Sequence, residues 1–259
     1  MQNPRLEQDP TVRFTNRVEN YVKYRPGYPQ ALYHHLATHY GLTSTSRIAD
    51  VGSGTGLLAQ LFLAQGNPVL GIEPNEAMRQ AAEQFLADYP DFTSVAAAAE
   101  ATTLPEASVD FVTAGQAFHW FDPVPTKAEF RRILRPHGFI ALIWNTRHPD
   151  SPFMAEYDQL LSQWAIEYMT IRHDRSREEA LDWFLDAQLD AATFENETWL
   201  DEVGLRGRVL SSSYAPLPEH PNHAPLMAGL DDLFTRYQQN GQVRFLYQTE
   251  LFIGRASKP

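Results

Sequence analysis

The chain has 259 residues, 43% hydrophobic and 12% aromatic, enough to bury a sizeable core in one large domain and too apolar for compositional disorder beyond its ends. A formal net charge of -11, from 21 Lys+Arg against 32 Asp+Glu, argues against a nucleic-acid partner. The lack of cysteine excludes disulfides, zinc–thiolate centres and thiol nucleophiles, and no apolar run approaches the ~20 residues of a membrane span.

Residues 1–13 read as a flexible arm, polar and without the apolar stretch of a secretory signal, so a cytoplasmic location is expected. Phe14, Val18, Tyr21 and Val22 space a helix over 14–24, closed by the turn-forming Arg25-Pro26-Gly27-Tyr28-Pro29. A second helix is predicted over 30–40. Its His34, His35 and His39 lack further ligands, and no metal site is expected. Ile48-Ala49-Asp50-Val51 is a short apolar strand ending beside an acid. Gly52-Ser53-Gly54-Thr55-Gly56 follows, then a helix presenting Leu57, Leu58, Leu61 and Phe62. A strand over 68–72 closes at Glu73-Pro74-Asn75, and Asn75 can cap a helix carrying Met78, Ala81, Ala82, Phe85 and Leu86. Strands are predicted over 92–97 and 109–114, a helix over 126–134, and a strand over 139–144.

This alternation, with strands reading as continuous apolar runs, implies a parallel sheet with helices on both faces. Ligands on such sheets bind outside the carboxyl ends of the strands, so the loops after Val51, Ile72, Ala97, Ala114 and Trp144 should form one rim. After Asn145 the alternation stops. Phe153, Tyr157, Leu160, Leu161, Trp164 and Tyr168 mark a long amphipathic helix, and 178–189 a second. The basic stretch at 172–177 is broken by Asp174 and reads as a solvated helix face. A short helix over 194–203 is predicted to lead into a strand over 206–214. A helix over 226–239 and a strand over 242–254 follow. The helices between 152 and 190 are expected to form a lid on the single domain of residues 14–259, with Trp164, Tyr168 and Met169 serving either its core or the pocket.

Three glycines at alternate positions let bare backbone approach a ligand, where a simple turn would need only one. The helix that follows begins at its amide-rich end. The spacing is tighter than that of a dinucleotide site, and Asp50 would repel a pyrophosphate but suit an amine or a sulfonium. Glu73, at the end of the second strand, can accept both hydroxyls of a ribose and would exclude a ribose phosphate.

The run Asp50-Val51-Gly52-Ser53-Gly54-Thr55-Gly56 resembles the first motif of class I S-adenosylmethionine-dependent methyltransferases, and Gly71-Ile72-Glu73-Pro74-Asn75 with Met78 resembles the second. Ala99-Glu100-Ala101 before Leu104-Pro105, then Ser108-Val109-Asp110-Phe111-Val112, resembles the adenine-contacting segment and the fourth strand; Phe130 to Pro136 resembles the helix before the fifth. Tyr24 to Pro29, Ala117-Phe118-His119-Trp120-Phe121 and Trp144-Asn145-Thr146-Arg147 are similar to a small-molecule branch that includes trans-aconitate methyltransferases.

The resemblance implies a doubly wound, seven-stranded, mostly parallel Rossmann-like sheet with its last strand antiparallel and a helical cap. It implies S-adenosylmethionine as donor, S-adenosylhomocysteine as product and a small-molecule acceptor that it does not identify; an oxygen of a carboxylate, hydroxyl or phenol is expected in preference to nitrogen or carbon. Implied donor contacts are Asp50, Gly52, Ser53, Gly54, Gly56, Glu73, Pro74, Met78, Ala99, Glu100, Gln116 and Arg25. Tyr24, His119, Trp120 and Trp144 are the implied acceptor pocket, with His119 either a general base or a packing partner of Trp120. Trp120, Phe121 and Trp144 serve either pocket or core. Two departures stand out: Ala98 replaces an acid that often meets the adenine amine, and Pro136-His137-Gly138 replaces a Pro-Gly-Gly turn away from the rim. A nicotinamide-dependent oxidoreductase and a non-catalytic nucleoside-binding protein are the alternatives.

Overall fold

The computed structural model describes residues 23–166, 168, 189–212 and 214–255. The arm, nearly all of the helix expected over 14–24, the basic stretch 172–177, the helix over 178–189 up to its last residue, and Met169 lie outside the described residues.

Seven strands form one sheet in the order β3-β2-β1-β4-β5-β7-β6. They are β1 (Ile48–Val51), β2 (Val69–Ile72), β3 (Phe92–Val95), β4 (Val109–Gly115), β5 (Leu134–Arg147), β6 (Leu189–Leu200) and β7 (Val243–Arg255). β1 to β5 pair in parallel, and β7 runs antiparallel to both β5 and β6. The helices are α1 (Gln30–Tyr40), α2 (Leu57–Leu63), α3 (Glu76–Phe85), α4 (Pro123–Ile133), α5 (Pro152–Trp164), α6 (Glu202–Leu210) and α7 (His223–Tyr237). The strand order reverses between β1 and β4, where a doubly wound sheet opens its crevice.

The sheet is covered on both faces. Leu36, Leu58 and Phe62 of α1 and α2 pack with Ile48, Phe111, Ile143 and Leu251 on one side. Phe130 and Ile133 of α4 pack with Val51, Val112, Trp144 and Phe252 on the other. A third cluster joins α5, α6 and α7 to the first half of β7 through Phe153, Tyr157, Leu205, Leu230 and Phe245. The α5 helix of the expected lid is thus seated in a core of its own, where Leu160 presses on Gly229 of α7. Tyr168 is buried in that cluster.

The region after residue 190 departs from the sequence reading. The helix expected over 194–203 is mostly strand, β6, and the strand expected over 206–214 is largely helix, α6. β6 has an inverted pattern: Asn196 and Thr198 face inward while Trp199 is exposed, so alternation of hydrophobicity is lost. α6 carries Gly204 and Gly207 and buries Arg208, which masks its helical period. Asp201 nevertheless caps it, accepting from the Gly204 amide at 2.7 Å. β5 also begins earlier than residue 139, at Leu134, with a register shift opposite Val109 and Phe111.

That shift contains the departed turn. His137 is exposed and sits at φ 73, the left-handed region that costs a residue with a Cβ roughly 1–2 kcal/mol. Glycine avoids the clash but loses more freedom on folding. His137→Gly is therefore expected to stabilise the protein by up to about 1 kcal/mol, read as a higher urea midpoint at unchanged slope. A lower midpoint would show that the histidine makes a compensating contact.

Candidate functional site

The bend after β1 is stitched to the end of β2: the amides of Gly52 and Ser53 both donate to the Ile72 carbonyl, at 2.8 and 3.1 Å. Gly52, Gly54 and Gly56 all have positive φ. They play different parts. A Cβ on Gly52 would stand 2.5 Å from that of Ala117, so the bend is pressed against the loop after β4. A Cβ on Gly56 would meet Leu86 at 2.6 Å, so this glycine serves helix packing. Gly54 faces open space.

That space is a cavity of about 280 Å³. Its walls come from four of the five expected loops: Gly52 and Gly54; Glu73, Pro74, Asn75 and Met78; Ala98, Ala99 and Glu100; Gly115, Gln116, Ala117, Trp120 and Phe121. Glu73 has one oxygen on the Gly54 amide at 3.0 Å and the other on the Asn75 amide at 2.9 Å. Burial pushes its carboxyl above the usual range, while these two amides and Arg79 pull it back. Asn75 caps α3 through the Met78 amide at 3.1 Å, as read from the sequence.

Asp50 stands behind the bend rather than in the cavity wall and is 1% exposed. One carboxylate oxygen accepts from the Thr113 hydroxyl at 3.0 Å; the other is buried and has no hydrogen-bond partner among the described residues. Burial pushes this carboxyl up to about 7, against the pull of Thr113 and the Ala59 amide, and Glu73 adds to the rise. An unsatisfied acceptor under an amide-rich bend, with a second acid at the mouth, fits a ligand bearing a cation and vicinal hydroxyls.

Other expected residues fall elsewhere. Ser53 and Gly56 hold the bend without lining the cavity. Trp144 is 1% exposed and packs edge-on against Phe118 and Phe252, because alternation along β5 turns it to the core face. His119 is exposed and off the wall, its ring 4.7 Å from that of Trp120. Arg25 donates to the Ser211 carbonyl at 3.2 Å, and the Tyr24 ring lies on Gly207, both against α6. The Glu100 carboxylate, at the cavity wall, accepts from the Asp122 amide at 2.9 Å and so anchors the start of α4. Asn75, Gly115 and Ala117 line the cavity without having been predicted to; the one sequence signal was their position at strand ends on the rim.

A seven-stranded sheet of this order, with a glycine bend and an acid at the next strand end, defines a doubly wound α/β protein with a crevice where the strand order reverses. A methyltransferase-domain family matches residues 49–142. An uncharacterized methyltransferase of Schizosaccharomyces pombe is 30% identical over 151 residues, 58% of this chain and 59% of that protein. This chain thus spans about three fifths of that relative. A second S. pombe methyltransferase-like protein is 26% identical over 258 residues, 95% and 96% of the two chains. Among solved structures, a protein of Anaeromyxobacter dehalogenans provisionally described as a type II methyltransferase superposes with a TM-score of 0.69 at 23% identity, covering 91% and 100%. Residues 49–142 thus match a methyltransferase domain, on a fold shared with solved methyltransferases. No helix among the described residues is long and apolar enough to cross a membrane.

The buried Asp50 has a consequence for stability. Between about pH 4 and 7 the folded protein keeps a proton on Asp50 that the unfolded chain has lost, so stability falls as pH rises. Asp50→Asn removes that loss. In thermal unfolding without ligand the variant should gain on the wild type by up to roughly 1.4 kcal/mol per pH unit across this window, then hold its lead above it. A lead that does not change with pH would mean that Asp50 is ionised throughout.

Proposed function

We propose that this protein transfers a methyl group from S-adenosylmethionine to an oxygen of a small-molecule acceptor. The observation that carries the reading is the Glu73 carboxylate, held by the Gly54 and Asn75 amides at the wall of an otherwise largely apolar cavity. Each of its oxygens keeps a lone pair for a ribose hydroxyl. Gly52 and Gly54 offer bare backbone for the amino-acid portion of the donor, and Asp50 behind them supplies a negative charge for its ammonium. Met78, Ala98 and Ala99 form the apolar walls for the adenine, with Glu100 at their border.

When bound, S-adenosylmethionine supplies a methyl already activated on a sulfonium. The protein's own task is then alignment and exclusion of water. Gln116 and Trp120, on the loop after β4, are placed to wall off the reacting end, and Gln116 is fixed through its amide nitrogen on the Asn145 carbonyl at 2.9 Å. A carboxylate acceptor needs no base. A hydroxyl or phenol acceptor would call on His119, whose ring would have to turn inward from its place beside Trp120.

The experiment is ligand-induced thermal stabilisation. S-adenosylhomocysteine should raise the melting temperature and NAD should not. Glu73→Ala should weaken S-adenosylhomocysteine binding by ~1–3 kcal/mol while the protein remains folded, the scale of lost charge-assisted hydrogen bonds. Unchanged affinity in that variant, or a shift with NAD alone, would refute the reading.

A further inference from the structure

Two arginines, Arg208 buried and Arg147 half-buried, lie among tyrosines where β5, β7, α5 and α6 meet. Arg208 is 4% exposed; it donates to the hydroxyls of Tyr247 and Ser212, at 2.7 and 3.1 Å, and meets no carboxylate among the described residues. Arg147 donates to the Tyr214 hydroxyl at 2.6 Å and to that of Tyr168, and packs over the Tyr157 ring. The one described carboxylate nearby is Asp158, 3.9 Å from Arg147 and already accepting from the Tyr168 hydroxyl. Among the described residues, one buried and one half-buried positive charge therefore face one carboxylate. Such an imbalance is costly to a folded protein unless something else neutralises it.

The tyrosines point the same way. The Tyr157 hydroxyl is fully buried and has no hydrogen-bond partner among the described residues, yet it lies within the fields of Arg147, Arg208, Tyr214 and Tyr247. The hydroxyls of Tyr214 and Tyr247 accept from the arginines and so keep their own protons to donate. Burial alone would raise the Tyr214 phenol, but Arg147, Arg208 and Arg25 draw it below its usual value. Apart from Asp158, the groups named here offer a donor or a positive charge, the complement of an oxyanion.

The cluster is joined to the donor cavity by covalent and packing links. Gln116 of the cavity wall bonds Asn145, two residues before Arg147 on β5. Gly115 of the same wall is closed by the Tyr28 hydroxyl, 2.5 Å from where a Cβ would stand. From Tyr28 the chain runs back to Arg25 and Tyr24, which rest on Ser211 and Gly207, flanking Arg208 on α6.

We propose that this cluster is the acceptor subsite and that the acceptor is a small organic anion, held by an oxyanion group on Arg147 and Arg208. The proposal rests on the methyltransferase reading above. It is tested by titrating the full chain with succinate, with inorganic phosphate and with uncharged succinamide, each with and without S-adenosylhomocysteine, by thermal shift and calorimetry. Succinate or phosphate should bind and succinamide should not, and which of the two binds tells a carboxylate acceptor from a phosphate one. Arg208→Gln should weaken the bound anion by about tenfold or more. Tyr157→Phe guards against misfolding: it deletes a hydroxyl with no hydrogen-bond partner among the described residues, so the melting temperature without anion should stay level or rise while anion affinity falls about fivefold. If S-adenosylhomocysteine binds but neither anion does, or if both variants bind anions as tightly as the wild type, the cluster is structural and the proposal is overturned. A failure of the donor reading shows separately, as no response to S-adenosylhomocysteine.

Discussion

The site depends on the bridge that Glu73 makes between two backbone amides. By accepting from Gly54 and Asn75 it ties the bend after β1 to the start of α3, across the carboxyl ends of two neighbouring strands. The Ile72 carbonyl adds a second tie by accepting from Gly52 and Ser53. The bend therefore cannot open without breaking contacts at the end of β2, and it cannot close further because Gly52 already abuts Ala117. Bare backbone is held at a fixed distance from the loop after β4, which is what a crevice of defined width requires. Preorganisation of this kind cuts the ordering cost that a ligand would otherwise meet.

The legible part of this protein is the part where local pattern and tertiary role agree. β1, β2 and β4 are buried on both faces, so each reads as an unbroken apolar run, and the bend and Glu73 follow at fixed offsets. Agreement ends beyond Asn145. β6 is an edge strand that turns Asn196 inward to reach Asn145 and the Gly27 carbonyl, so its polarity follows a tertiary contact instead of its own period. α6 keeps a glycine at 207 because the Tyr24 ring lies there, and a buried arginine at 208 because two hydroxyls receive it. Trp144 shows the same limit at one residue: it sits among rim residues in sequence, but the two-residue period of a strand puts it and Asn145 on opposite faces. The arginine–tyrosine cluster was out of reach altogether, because Arg147, Tyr157, Arg208 and Tyr247 are brought together from four elements.

What unites the crevice and the cluster is that each gathers ionisable groups of one sign that the described residues do not fully pair. Asp50, buried, and Glu73, half-buried, are two carboxylates on one side of the loop after β4, and their mutual repulsion contributes to the raised carboxyl of Asp50. Arg147 and Arg208 are the opposite case on the other side, near the ends of β5 and β7. A protein selected for stability alone would pair these groups with each other or replace them with apolar side chains, since buried charges rarely repay their desolvation. Keeping them apart, in rigid frames and with opposite sign, favours a cation in the first place and an anion in the second. The segment from Tyr24 to Tyr28 spans the gap: Tyr28 closes on the crevice wall at Gly115, and Arg25 reaches α6. A sulfonium donor and an anionic acceptor are such a pair, and their attraction across the loop after β4 would draw together the two atoms between which the methyl must pass.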